Sequence, residues 1–203
     1  MGYEAGLMVI SKSVAKRTLD ALMRIAGFPF YFIYTIETRI VGERKAFGAL
    51  MQLVSLFPGV SGEWLRRSIL QWVTSCPLKD CCICFGVLFS DHRTIIGDGV
   101  YIGTGCNIGY AEIGKNCVIG SSVHILSGLN QHMFHDMGIP IRDQGGSFTR
   151  VIIGEDCWIG NGAVLAASVG RGCVIGAGSV VVHEIEDFSV AVGNPARVIR
   201  TRQ

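Results

Sequence analysis

Long runs of like charge are missing from this chain, and no basic tract extends beyond Arg66-Arg67. Charged residues make up only 17% of the sequence, the net charge is +2, and basic residues are not interleaved with aromatic ones. Nucleic acid is therefore not an expected partner. The opening stretch Met1–Ile10 has neither a basic start nor a small-residue cleavage site, so no signal peptide is read there and a reducing cytoplasm is the expected home. A membrane-spanning run is also lacking by simple count. Ile25–Ile36 is nearly all apolar, but it stops at twelve residues and contains Pro29, whereas a spanning helix needs about 20. What the chain has instead is a hydrophobic fraction of 49%. That balance points to buried subunit interfaces, a membrane-facing patch, or both.

The dominant pattern begins at Ile96. Ile96-Gly97, Ile102-Gly103 and Ile108-Gly109 recur every six residues, and Ile113-Gly114 and Ile119-Gly120 follow after one five-residue step. After an interruption the pattern resumes with Ile153-Gly154 and Ile159-Gly160, then Leu165, Val169-Gly170, Ile175-Gly176 and Val181. Neither a helix nor a period-2 strand produces such spacing; a solenoid does. Each six-residue unit makes one short strand and one corner, and three units close a turn of roughly 18 residues with the aliphatic side chains stacked inside. The fold class expected is mainly β, a parallel β-helix at 76–200 preceded by an α-helical extension at 1–75. The step from Leu165 to Val169 is short, which trims one corner.

These Ile-Gly-x-x-small-x repeats, closing in Gly193-Asn194-Pro195-Ala196-Arg197-Val198-Ile199, resemble the hexapeptide-repeat acyltransferases. The resemblance covers about residues 86–200. It implies a left-handed parallel β-helix, acetyl-CoA as co-substrate, and a homotrimer with active sites between subunits. Handedness follows from the resemblance alone, because the period does not encode it.

Eight cysteines need an explanation. Cys106, Cys117, Cys157 and Cys173 each lie four residues after a repeat aliphatic, in the slot for a small inward side chain, where a free thiol packs as a small hydrophobe. Cys76, Cys81, Cys82 and Cys84 form a cluster without the distant second pair that a zinc site usually has, and strand alternation sends Cys81 and Cys82 to opposite faces. No metal is expected.

In the extension, Ser11 or Ser13 is a candidate cap for a helix running to about Ala26, with Val14, Leu19, Leu22, Met23 and Ala26 at helical spacing. A second helix is expected over Ile40–Leu56, broken at Phe57-Pro58-Gly59, and a third from Ser61 to about Thr74. Two readings remain open: a cap on the first coil and on neighbouring subunits, or an amphipathic platform on the inner membrane face. The segment Arg39–Arg67 also resembles the N-terminal extension of a polysaccharide-associated subgroup of the family.

The interruption, 128–150, is polar and breaks the ladder without disturbing its register. An inserted segment of that length in a solenoid is usually functional. Acyl transfer from a thioester to a hydroxyl needs a base for the hydroxyl proton, and histidine suits that task near neutral pH. Ser127-Gly128-Leu129-Asn130-Gln131-His132 resembles the Gly-x-x-Gln-His motif of the polysaccharide-associated subgroup, which implies His132 as the catalytic base. Relatives that read His-x-His have Asn130 at the first of those places here. Asn107, Asn130, Gln131, His135 and Asp136 are further candidates for catalytic or acceptor contacts. His92 and His124 are read as corner or interface residues. A trimeric carbonic-anhydrase type of metal site is not favoured, because His132 and His135 are three residues apart and not five.

For the donor, the resemblance implies a groove along the second ladder block. The matching positions are Trp158, Gly160, Asn161, Ala177, Val182, His183, Arg197 and Arg200, with His183 standing where relatives often carry lysine. The expected function is transfer of an acetyl group from acetyl-CoA to a sugar hydroxyl in extracellular polysaccharide or lipopolysaccharide assembly. Peripheral membrane contact through the helices would suit a lipid-linked acceptor. A serine O-acetyltransferase and a non-catalytic β-helix scaffold are the alternatives.

Overall fold

A computed structural model describes residues 18–74 and 76–202 in full and the backbone course of residues 2–17. The sixfold aliphatics do what their spacing demands: Ile102, Ile108, Ile113, Ile119, Ile125, Ile153, Ile159, Leu165, Ile175 and Val181 are all buried along one axis. Around them the chain winds in three-sided coils. The first coil holds β1 (Cys82–Ile83), β2 (Leu88–Phe89) and β3 (Ile95–Ile96), the second β4 (Tyr101–Ile102), β5 (Asn107–Ile108) and β6 (Ala111–Ile113). The third holds β7 (Val118–Ile119), β8 (His124–Ile125) and β9 (Val151–Ile153), and the inserted segment leaves between the last two. Above them come β10 (Trp158–Ile159), β11 (Val164–Leu165), β12 (Val174–Ile175), β13 (Val180–Val181), β14 (Ser189–Gly193) and β15 (Ala196–Thr201).

Stacking produces three parallel sheets. Sheet A runs β1-β4-β7-β10-β12-β14-β15, sheet B β13-β11-β8-β5-β2, and sheet C β3-β6-β9. Sheet C continues through single bridges from Ile153 to Val169 and from Val169 to Ile185. The architecture is a left-handed parallel β-helix with three N-terminal helices. Only β15 breaks the pattern: it returns antiparallel along β14 after the Asn194-Pro195 turn. The insertion does not shift the ladder, since Ile113 still pairs with Ile153.

The inward cysteines also behave as their spacing suggests. The thiols of Cys106, Cys117, Cys157 and Cys173 each point at a corner carbonyl of the next coil, on Gly120, Gly154, Gly170 and Glu186, at 3.0 Å. Burial pushes the Cys81, Cys106 and Cys173 thiols up, which keeps them in the unreactive protonated form.

The helical region departs from the sequence expectation. Helix α1 spans Gly2–Val41 without interruption, with Pro29 inside it. The expected stop near Ala26 is absent, and the cap expected at Ser11 or Ser13, like Val14, falls outside the fully described residues. The twelve-residue limit on apolar length is thereby overturned: Thr18–Val41, 24 residues, is long and apolar enough to cross a membrane by length and composition. Proline removes one helical hydrogen bond and crowds the preceding turn, but side-chain packing against α3 (Gly59–Thr74) holds the flanking turns. Tyr31 stacks on Trp72 at 5.4 Å between ring centres, Phe28 meets Trp72 edge-on, and Asp20 pairs with Arg67. Helix α2 (Glu43–Ser55) matches the expected second helix, except that Ile40 belongs to α1.

These helices are tied to the first coil by buried cations. Arg66 is 2% exposed. Its guanidinium donates to the carbonyls of Ile83 at 2.9 Å, Val54 at 3.2 Å, Ser55 at 3.5 Å and Phe57 at 2.7 Å. Arg67 donates to Cys81 O at 3.3 Å. Gly86 N donates to Ser55 O at 3.0 Å.

Candidate active site

Sheets B and C meet at a tight corner, and the third coil opens there. The chain leaves at Ser127, a buried residue whose hydroxyl accepts from Tyr110 N at 2.9 Å. It re-enters where Val151 N donates to Tyr110 O at 3.0 Å, so Tyr110 clasps both ends. The two limbs between are zipped together. Thr149 N donates to Ser127 O, Ser147 N to Asn130 O, and Met133 N to Gly145 O, at 2.7–2.9 Å. The tip is gathered by one side chain. Gln144 donates to the carbonyls of Asp136 and Ile139, both at 2.7 Å, and its own carbonyl accepts from Asp136 N at 3.1 Å.

His132 sits on the zipped part, not at the tip. It is exposed and makes no hydrogen bond, ion pair or ring contact among the described residues. Its backbone, by contrast, is closely confined. A Cβ on Gly146 would run into Gln131 O and lie 2.9 Å from His132 N. Only glycine lets the return limb approach this closely. Gly146→Ala should therefore push the His132 limb away, lowering turnover at least about tenfold while the coil's melting temperature stays near that of the wild type. Thiol release and a thermal melt on the same preparation check both parts.

The neighbouring candidates are placed differently. His135 packs on Phe134, 5.1 Å between ring centres, and Asp136 accepts from Gly138 N at 2.8 Å, so that carboxylate braces a turn and touches neither imidazole. Gln131 donates to Gly128 O at 3.1 Å, holding the exit turn. Asn130 lines a cleft of about 240 Å³ at the loop's base, opposite Ala166, Ala167, Ser168 and Glu184. Asn107 faces outward on β5, into a second cleft of about 500 Å³ walled by Arg44, Lys45, Gln52, Leu88 and Ser90. The loop reaches this cleft too, because the Arg44 guanidinium lies over Phe148 at 4.4 Å. The inserted segment thus stands between two clefts.

His124 is an exposed strand residue beside Asn107 in the register of sheet B, so of the two places the sequence suggested, corner or interface, the corner is overturned. His92 meets Glu43 at 3.3 Å and so serves the joint with α2, while Asp91 grips Arg93 in a two-bond fork within the first coil. Sequence reasoning passed over Gln144 and Gly146; the Gly145-Gly146 pair was the visible sign of the second.

The donor candidates fall on successive coils and on different sides of them. Trp158 is 58% exposed on sheet A. Asn161 and Ala177 stand on the corners between sheets A and B, and Asn161 accepts from Ser121 N at 2.9 Å. Gly160 is buried beneath, where a Cβ would strike Ala177 N. Val182 and His183 lie beyond β13, on the corner column that also carries the loop. Arg197 and Arg200 are exposed on β15, with Arg197 donating to Ala196 O at 2.9 Å. A single protomer does not gather these eight residues onto one surface.

The site resembles known proteins in sequence and fold. Residues 150–183 match the family model described as bacterial transferase hexapeptide, six repeats. A probable acetyltransferase of Mycobacterium tuberculosis is 36% identical over 120 residues, 58% of this chain and 38% of that protein. A putative colanic acid biosynthesis acetyltransferase of Escherichia coli is 31% identical over 115 residues, 54% of this chain and 59% of that one. The chain therefore spans less than two thirds of the length of either relative. Among solved structures, a maltose O-acetyltransferase from Clostridium difficile superposes with a TM-score of 0.70 and 26% identity, over 80% of this chain and 88% of that one.

Proposed function

We propose, for a chain that belongs to the hexapeptide-repeat acyltransferase family, transfer of an acetyl group from acetyl-CoA to a sugar hydroxyl, with His132 as general base. The observation that carries this reading is the combination at His132: a backbone fixed by Gly146 and the limb hydrogen bonds, and an imidazole with no partner among the described residues. Such a ring is available to take the acceptor's proton as its oxygen attacks the thioester carbonyl, and to return it to the departing thiolate. No covalent enzyme intermediate is needed.

The acceptor is assigned to the cleft of about 500 Å³, where Asn107, Gln52 and Ser90 offer hydrogen bonds to hydroxyl groups. Similarity to a putative colanic acid biosynthesis enzyme and to a maltose O-acetyltransferase supports a sugar acceptor in polysaccharide assembly. The donor is assigned to the Trp158–Arg200 set. Because those residues fall on separate sides of successive coils, a homotrimer, with one copy's corners facing another's sheet, is the arrangement that completes a groove.

Helix α1 supplies the membrane side of the proposal. Its outward face exposes Leu22, Ile25, Phe32, Ile33, Ile36 and Ile40, with Ile25 at 70% and Ile40 at 76%. The opposite face packs on α3, which favours a helix lying in the membrane interface over one crossing it. The full-length protein should co-sediment with vesicles containing anionic lipid, and replacing Ile25, Phe32 and Ile40 by Ser together should release it. Sedimentation equal to a no-lipid control would remove the membrane from the reading and leave that face to other copies of the chain.

The function itself is tested by acetyl-CoA thiol release against nucleotide sugars, oligosaccharides and serine. Turnover on a sugar carries the reading; turnover on serine alone replaces it with a serine O-acetyltransferase. Failure to bind coenzyme A would leave a scaffold.

A further inference from the structure

Helix α3 and strand β1 trap a group of side chains that the acetyl-transfer reading does not use. Cys82 and Cys84 flank the inward Ile83, so both thiols project from the outer face of sheet A, beneath α3. Their sulfurs are 3.8 Å apart. Nineteen residues upstream, on α3, Glu63 brings Oε2 to 3.4 Å from the Cys82 sulfur. One ligand atom from each of the three lies within 4.8 Å of the others. We propose that Glu63, Cys82 and Cys84 form a binding site for a borderline-soft divalent cation of the zinc class, which staples α3 to the first coil.

The edge lengths carry the argument. With metal–sulfur bonds of about 2.3 Å and a metal–oxygen bond of about 2.0 Å, a tetrahedron sets two sulfurs about 3.8 Å apart, and sulfur and oxygen about 3.5 Å apart. The two short edges in the structure match both values, and the third, between Cys84 and Glu63, closes within 4.8 Å. Ligand chemistry agrees, since two thiolates and a carboxylate favour zinc over magnesium or calcium.

Charge balance is a second, independent observation. Two thiolates and a carboxylate around a divalent ion leave one net negative charge. The Arg66 guanidinium, 2% exposed, has its Nη2 buried with no hydrogen-bond partner among the described residues, and it interacts electrostatically with Glu63, Cys84 and Cys82. A bound ion with its anionic ligands would give that cation a counter-charge. Tyr101 stands opposite Cys82 in the sheet and interacts electrostatically with Cys84. The spacing of the cysteine cluster gave no sign of this because the third ligand comes from another element.

The test uses the full-length protein and cobalt(II) as probe, followed by zinc competition. One cobalt per chain should bind with thiolate-to-metal charge-transfer absorption and the intense visible bands of tetrahedral cobalt, and zinc should bleach both. The double variant Cys82→Ser/Cys84→Ser should lose the absorption, Glu63→Gln should weaken binding at least about tenfold, and Cys76→Ser should bind like the wild type. Zinc should also raise the melting temperature of the wild type and not of the double variant, whose fold is checked by its helical circular dichroism. Absorption that persists in the double variant, or Glu63→Gln binding at wild-type strength, would overturn the site. So would a pair of thiols that close to a disulfide in air and, once reduced, still take up no cobalt.

Discussion

His132→Ala is expected to slow acetyl transfer by roughly 10²–10⁴-fold, the span usually supplied by a positioned general base. The loss should appear in kcat with acetyl-CoA affinity unchanged, because none of the donor candidates touches the ring. Stability should not move, since the imidazole is exposed and makes no contact among the described residues. That separation makes the experiment decisive: thiol release, a coenzyme A titration and a thermal melt on one preparation distinguish a lost base from a damaged fold. His135→Ala is the matched control, removing a ring that packs only on Phe134, and should keep activity near that of the wild type. If the two variants turn over equally, the base is elsewhere, and His124, beside Asn107 in sheet B, becomes the first candidate.

Arg66→Met should destabilise the folded protein by about 3–5 kcal/mol, the range for removing one partner from a buried, hydrogen-bonded charge. Methionine fills much of the volume but donates nothing to the four carbonyls that Arg66 now serves. Three of those, on Val54, Ser55 and Phe57, end α2 or follow it, where a helix has no donors of its own left to give. Arg66→Lys should recover little, because a compact ammonium cannot reach as many directions as the planar fork. In urea, the midpoint should fall for both variants with the slope unchanged. Arg67→Met, which loses one carbonyl and a half-exposed pair with Asp20, should fall by much less. An Arg66→Met midpoint equal to that of the wild type would refute the assigned role.

The contrast between these two residues shows what the sequence could convey. His132 stands in a segment that interrupts a strict period, so its candidacy was visible as a break in a pattern. The core was visible for the same reason: a periodic aliphatic such as Ile119 announces its own burial. Arg66 carried no such sign. Beside Arg67 it read only as a short basic pair, and the packing of α3 on β1 made it an interior cation. Pro29 misled in the opposite direction, because a breaker's local effect was outweighed by Tyr31 and Phe28 against Trp72. Gln144 shows the remaining gap. Its hydrogen bonds span up to eight residues within an irregular loop, and no period or propensity encodes such contacts. Within the loop the sequence singled out the candidate residues, whereas side-chain packing arranged them.

A stack of parallel coils has a difficulty at each end: its last strands offer unpaired carbonyl and amide groups that invite another copy to continue the pile. Here the lower rim is occupied. Arg66 and Arg67 take the carbonyls of Ile83 and Cys81, and Ser55 takes the amide of Gly86. The upper rim of sheet A is turned back on itself by β15, whose reversed direction offers no parallel template. On sheet A both ends are therefore closed to a further parallel strand. Copies that associate as proposed are left with their flanks, and such contacts can close into a ring of fixed number instead of extending without limit.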